Sequence, residues 1–188
     1  GTYTMPNITT YQTINAIGVG GPFADNVYTD VAASIISYKP PDGTSRVVYE
    51  FETAISSATN TGSSRFDDYM GDFKIFIDNT EISNARILEG MYNTWSSSIR
   101  IKYIFEINNG TSDISNGILS SWTTNKIIKI KAKARHDGYI YNLHAVRDYL
   151  NDSATKIFSR PTMSVTAIED NPSSSGSGGS SGSGGGDG

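Results

Sequence analysis

Two histidines, His136 and His144, and the absence of cysteine limit the chemistry this chain can attempt. Two imidazoles without thiolates, and with no H-E-x-x-H or C-x-x-C spacing, do not make a zinc site. A Ser–His–acid triad assembles in space rather than in sequence, so the many serines leave that arrangement open. No G-x-S-x-G elbow is present to expose a nucleophile, however. Asp67-Asp68 followed by Asp72 places carboxylates close together, at a spacing that departs from the EF-hand loop. An acidic loop before a strand is the simpler reading. Gly18-Val19-Gly20-Gly21 lacks the lysine and the following helix of a phosphate-binding loop. The expectation is a protein without catalytic residues, without a metal site and without a cofactor.

Binding chemistry is better represented. Residues 126–135 read KIIKIKAKAR. On a β-strand, alternate side chains leave on opposite faces. Ile128, Ile130, Ala132 and Ala134 then share one face, and Lys129, Lys131, Lys133 and Arg135 share the other. The basic face is either a surface for anionic glycans, lipid or a partner subunit, or a solvated back balanced by acidic strands carrying Glu50, Glu52, Asp72, Asp78 and Glu106. Cross-strand pairs of opposite charge are worth about 0.2–1 kcal/mol each, and strand lysines discourage edge-to-edge aggregation. Tyr139 and Tyr141, beside an Asp137-Gly138 turn, are candidates for stacking on sugars. Trp95 and Trp122 read as core or interface residues.

These residues need elements to hold them. At 188 residues the chain has the length of one domain with a sizeable core. Acidic residues number 19 and basic residues 15, a net charge of −4, which argues against a nucleic-acid partner. Its apolar runs are far shorter than the roughly 20 residues of a membrane span. Alternation marks strands at 46–52 (Val47, Tyr49 and Phe51 inward), 72–78 (Phe73, Ile75 and Ile77 inward), 98–107 (Ile99, Ile101, Tyr103, Phe105 and Ile107 inward), 126–135 and 162–168. Shorter strands are predicted at 34–38, 87–92 and 139–144, and a helical turn or two at 144–150. Turn signals separate them: Pro40-Pro41-Asp42-Gly43, Asn60-Thr61-Gly62, Asp78-Asn79, Asn108-Asn109-Gly110 and Asp137-Gly138. The last suits a tight hairpin from the basic strand to the next.

Short strands at this spacing predict an all-β fold, a sandwich or a barrel. Three segments are expected: an N-terminal arm or entry segment over 1–20, the β-sandwich domain over 21–170, and a flexible Gly/Ser-rich tail over 171–188. That tail is almost wholly Gly and Ser and cannot bury apolar surface, as a native tail or as an added linker. Sequons at Asn7, Asn109 and Asn151 mark exposed loops.

One resemblance can be drawn from a set of loose motifs. They are Met5-Pro6 with Thr9, Tyr28-Thr29-Asp30, the run from Ile36 to Phe51 through Lys39-Pro40-Pro41-Asp42-Gly43, and Phe73 to Asp78. Further on come Trp122 with the 126–135 strand, Leu143-His144 with Tyr149, and Pro161 to Glu169. Together they resemble the β-rich head domains of virion fibre or capsid-surface proteins in marine phages and large algal viruses. Near Tyr149-Leu150-Asn151-Asp152 the pattern departs, for the family's aromatic-Asp-Gly turn is missing. The resemblance implies a jelly-roll-like antiparallel β-sandwich without catalytic residues, a structural protein assembled as a homotrimer on the virion, with other capsid or fibre proteins and host-surface glycans as its expected partners. The charge and the short apolar runs add the expectation of no nucleic-acid contact and no membrane insertion. From the residues alone, the rival is a carbohydrate-binding module that uses exposed tyrosines.

Overall fold

The computed structural model describes residues 8–10, 12–15, 28–57, 69–91, 96–108, 110–134, 140–147 and 156–170. These form fourteen strands in chain order: β1 (Gln12–Asn15), β2 (Thr29–Asp30), β3 (Ile36–Tyr38), β4 (Thr44–Ser57), β5 (Tyr69–Ile77), β6 (Thr80–Glu81), β7 (Ile87–Met91), β8 (Ser96–Ile107), β9 (Ile118–Leu119), β10 (Lys126–Ala134), β11 (Ile140–Leu143), β12 (Ala145–Arg147), β13 (Lys156–Phe158) and β14 (Thr162–Glu169). Two three-residue 3-10 turns, Ser83–Ala85 and Ile114–Asn116, are the helical elements among the described residues. The chain is all-β.

The long strand β4 organises the first sheet. One edge pairs with β8 along most of its length, from Arg46↔Glu106 to Ser56↔Ser96. Its other edge changes partner: β14 takes Thr44 to Glu52, and β11 takes Ile55 to Ser57, with β1 beyond β11. The second sheet is built on β10, with β5 on one side and β2 and β3 end to end on the other. β6 and β7 complete it beyond β5. A ribbon of β12 and β13 stands apart.

The alternation explains the sandwich. β4 and β8 turn Val47, Tyr49, Phe51, Ile55, Ile99, Ile101 and Phe105 inward, and the second sheet answers with Phe73, Ile75, Ile77, Ile128, Ile130 and Ala132, all buried in one cluster. Each large side chain so buried contributes about 1.5–3 kcal/mol before entropy is subtracted. Trp122 closes one end: its ring meets Phe105 edge-on at 5.7 Å and its indole N–H donates to the Tyr38 carbonyl at 3.0 Å. The Pro40–Gly43 turn signal holds, and Gly43 and Gly110 both have positive φ.

Four expectations change. Residues 145–147 form β12 rather than a helical turn, because Ala145–Arg147 pair with Lys156–Phe158. β10 and β11 do not pair as a hairpin, because they lie in different sheets. Residues 12–15, placed in an N-terminal arm or entry segment ahead of the sandwich, pair with Ile140–Leu143 as an edge strand of the first sheet. Asp72 does lie on the outer face of its sheet, but Tyr28 and Arg86 bury it. Asp67, Asp68, Trp95, Arg135, His136, Tyr139, the Gly18–Gly21 run, the Asn60–Gly62 turn, the sequon asparagines and the 171–188 tail lie outside the described residues.

Candidate binding cleft and the basic face

The basic strand is indeed a strand, and its lysines face away from the core. Directly across β5 lie Phe76, Lys74 and Asp72, opposite Lys129, Lys131 and Lys133 in turn. A Lys131–Lys74 pairing is unfavourable by itself, so the neutralising groups must come from elsewhere. Asp30 on β2 supplies most of them, 3.5 Å from the Lys129 ammonium and 3.7 Å from that of Lys131. Lys74 turns to Glu81 at 2.8 Å. Lys133 and Lys74 both approach the Tyr28 ring, at 5.1 and 4.4 Å from its centre, and Lys131 lies 5.1 Å from the centre of Phe76. Such contacts are worth about 0.5–1 kcal/mol each at exposed sites. The Tyr28 hydroxyl donates to Asp72 at 2.6 Å, and burial together with that carboxylate raises its pKa.

This balance differs from the expected one in its source. Glu50, Glu52 and Glu106 belong to β4 and β8 in the opposite sheet and cannot face the lysines. Asp78 serves Lys126 instead, at 3.2 Å. Tyr141 also differs from expectation. It is 2 % exposed, packs against Phe73, and donates its hydroxyl to the Lys133 carbonyl at 3.1 Å. Burial raises its pKa, and no sugar can reach its ring. Odd-numbered β11 residues face the core, so the side chain that looked like a hairpin-tip aromatic is a core residue.

The second histidine is buried as well. His144 has φ +63 and turns the chain out of β11 into β12. Its backbone N–H reaches the Ala54 carbonyl at 2.8 Å, and its Nδ1 lies 2.7 Å from Thr53 Oγ1. Nε2 is buried without a hydrogen bond. Burial, partly opposed by the backbone of Ala32, lowers the imidazole pKa to about 4. A hydroxyl beside an imidazole suggests nucleophile and base, yet both side chains are buried, His144 completely and Thr53 all but 3 %.

An open site forms instead where β4 changes partner. β14 releases β4 after Glu52 and β11 joins it at Ile55, so the chain leaves the sheet between them as the β12–β13 ribbon. The Ser159 N–H donates to the His144 carbonyl at 2.8 Å and ties the ribbon's base together. Between ribbon and sheet lies a cleft of about 460 Å³, lined by Glu52, Ala54, Val146, Arg160 and the hydroxyl residues Ser96, Ser97, Ser98, Ser159 and Thr162; Thr53 also borders it, with its own hydroxyl spent on His144. This falls within the usual size range of ligand sites.

The cleft's charges are its main feature. Arg100 stands directly across from Glu52, but its guanidinium turns to Glu50 at 3.1 Å, where the Lys102 ammonium also sits at 3.1 Å. The hydrogen bond from Lys102, with Arg100 alongside, holds the Glu50 carboxyl below its ordinary pKa. Glu52 and Arg160 therefore line one cleft with no ion pair among the described residues. Sequence reasoning missed this site. Glu52 and the Ser96–Ser98 run were visible, but their meeting with Ser159 and Arg160 depends on the strand exchange along β4.

Comparisons with known proteins add little. No family model matches the chain, and no curated protein matches it. Among solved structures, the C-terminal domain of EclA, described as a sugar-binding protein, is similar over 87 % of this chain and 83 % of its own, at 7 % identity and a TM-score of 0.37. A likeness at that score carries no weight for ligand or mechanism.

Proposed function

We propose that this chain is a binding module without catalysis, and that it holds a polyhydroxylated ligand, a glycan, in the cleft beside β4. The observation that supports the reading is a carboxylate and a guanidinium, neither ion-paired among the described residues, in a cleft otherwise lined mainly by hydroxyls. A sugar hydroxyl both donates and accepts. Glu52 accepts, Arg160 donates, and the serine and threonine hydroxyls do either. Among the described residues no aromatic ring lines the cleft, so their contribution to affinity rests on hydrogen bonds and should be modest, with a Kd of about 1 mM, or roughly −4 kcal/mol.

The test is titration of neutral, uronic and sulfated oligosaccharides, followed by protein NMR or calorimetry. Binding should weaken at least about tenfold in Glu52→Gln and in Arg160→Ala, the cost of one lost charge-assisted hydrogen bond. Binding unaffected by both substitutions, or silence across the whole panel, would sink the reading. A second reading is the virion-surface module implied by the sequence resemblance. The long edge of β14, unpaired among the described residues and so a surface for pairing between copies, favours it. Capsid or tail genes flanking this one would support it.

A further inference from the structure

β14 is an exposed edge of the first sheet. It pairs with β4 on one side and, among the described residues, with nothing on the other. Eight residues is long for an open edge, which natural sheets usually protect with charges, prolines, bulges or shortness. The other long edge, on β8, carries Arg100, Lys102 and Glu106 on its outer face. β1, β2, β6 and β9 have only two to four residues each. β14 carries such protections only at its ends, Pro161 just before it and the irregular pairing at Ile168/Glu169: between them its outer face shows Thr162, Ser164 and Thr166, and its inner face holds Met163, Val165 and Ala167 only half-buried at the rim of the core.

We infer that β14 pairs with β14 of a second copy of this chain, antiparallel about a two-fold axis, to give one continuous sheet across a homodimer. The register follows from two requirements. Opposed residues on antiparallel strands share a face, so a register that keeps inner residues on the inner face has an even sum of opposed numbers. Centring the axis on Val165 meets this condition and also matches the charges, because it sets Arg160 of each copy opposite Asp170 of the other. Asp170 already meets Arg46 of its own chain at 3.2 Å. The pairing completes an Arg46–Asp170–Arg160 row at each end of the seam, and the fork of five guanidinium donors leaves Arg160 able to serve the cleft as well. In the same register Met163 opposes Ala167 and Ser164 opposes Thr166, so the half-buried inner row of each copy covers the other's.

The chain's lack of cysteine makes the register directly readable. Val165→Cys should form a disulfide-linked dimer under mild oxidation, since directly opposed strand residues lie about 4.5–5.5 Å apart at Cα, within disulfide reach. By sedimentation at high micromolar concentration, the wild-type chain should show twice the chain mass. Ser164→Lys with Thr166→Lys places four like charges across the seam and should return the mass to one chain. Ser164→Lys with Thr166→Glu places Lys opposite Glu and should keep the dimer; within each chain that lysine faces Glu50, so both variants suit the monomer fold. Circular dichroism checks that each is folded. A wild-type mass of one chain or three, no Val165→Cys cross-link, or the same mass for both charge variants would overturn the inference. None of these readouts depends on whether the cleft binds sugar.

Discussion

The state of His144 makes acid stability a direct test of the packing. The imidazole is fully buried, with one nitrogen on Thr53 and the other without a hydrogen bond, and its pKa falls from the ordinary 6.5 to about 4. The folded state therefore binds this proton less readily than the unfolded chain. Stability from the neutral, packed ring is fully present above pH 6.5 and is lost as pH falls toward 4. With these two values the loss is about 2 kcal/mol by pH 5 and about 3 kcal/mol by pH 4. Carboxylates and His136 also titrate in this range, so wild type must be compared with His144→Asn. Asparagine tolerates positive φ and can keep a bond to Thr53. Urea unfolding at pH 7.5, 6, 5 and 4 then gives the stability of wild type minus that of the variant at each pH. This difference should favour wild type at pH 7.5, shrink by about 2 kcal/mol at pH 5, and vanish or change sign at pH 4. A difference constant within about 0.5 kcal/mol across the range would refute the buried, neutral imidazole.

Two further perturbations test the turn geometry and the charge balance. Gly117 sits at φ +68, and a Cβ there would lie 2.5 Å from the Tyr103 ring; Gly117→Ala should cost about 1–3 kcal/mol in urea unfolding, and a neutral result would mean this turn is misplaced. Asp30→Asn removes the carboxylate shared by Lys129 and Lys131. It should cost about 0.5–1.5 kcal/mol at low ionic strength and less in high salt, because both pairs are partly exposed. An effect unchanged by salt would argue that Asp30 acts through something other than charge.

Much of the fold was legible in local pattern because a strand's two faces follow from a period of two. That period placed Val47, Tyr49 and Phe51, Phe73, Ile75 and Ile77, and Ile128 and Ile130 inside without knowledge of any partner. It also placed Lys129, Lys131 and Lys133 outside. What alternation cannot supply is which strands share a sheet. Asp30, not Glu50 or Glu52, balances the lysines because β2 and β10 are neighbours while β4 lies in the other layer. Tyr141 became core rather than a sugar platform because β11 crosses to the first sheet instead of returning as a hairpin. His144 was readable as a histidine but not as a buried hinge, since its positive φ matters only where β11 must leave β4. The cleft arises the same way, from β14 and β11 dividing one edge of β4 between them. Sequence alone determined the strands and their faces, because those depend on neighbours in the chain. The tertiary structure decided every pairing between distant segments, and with it both the charge partners and the site.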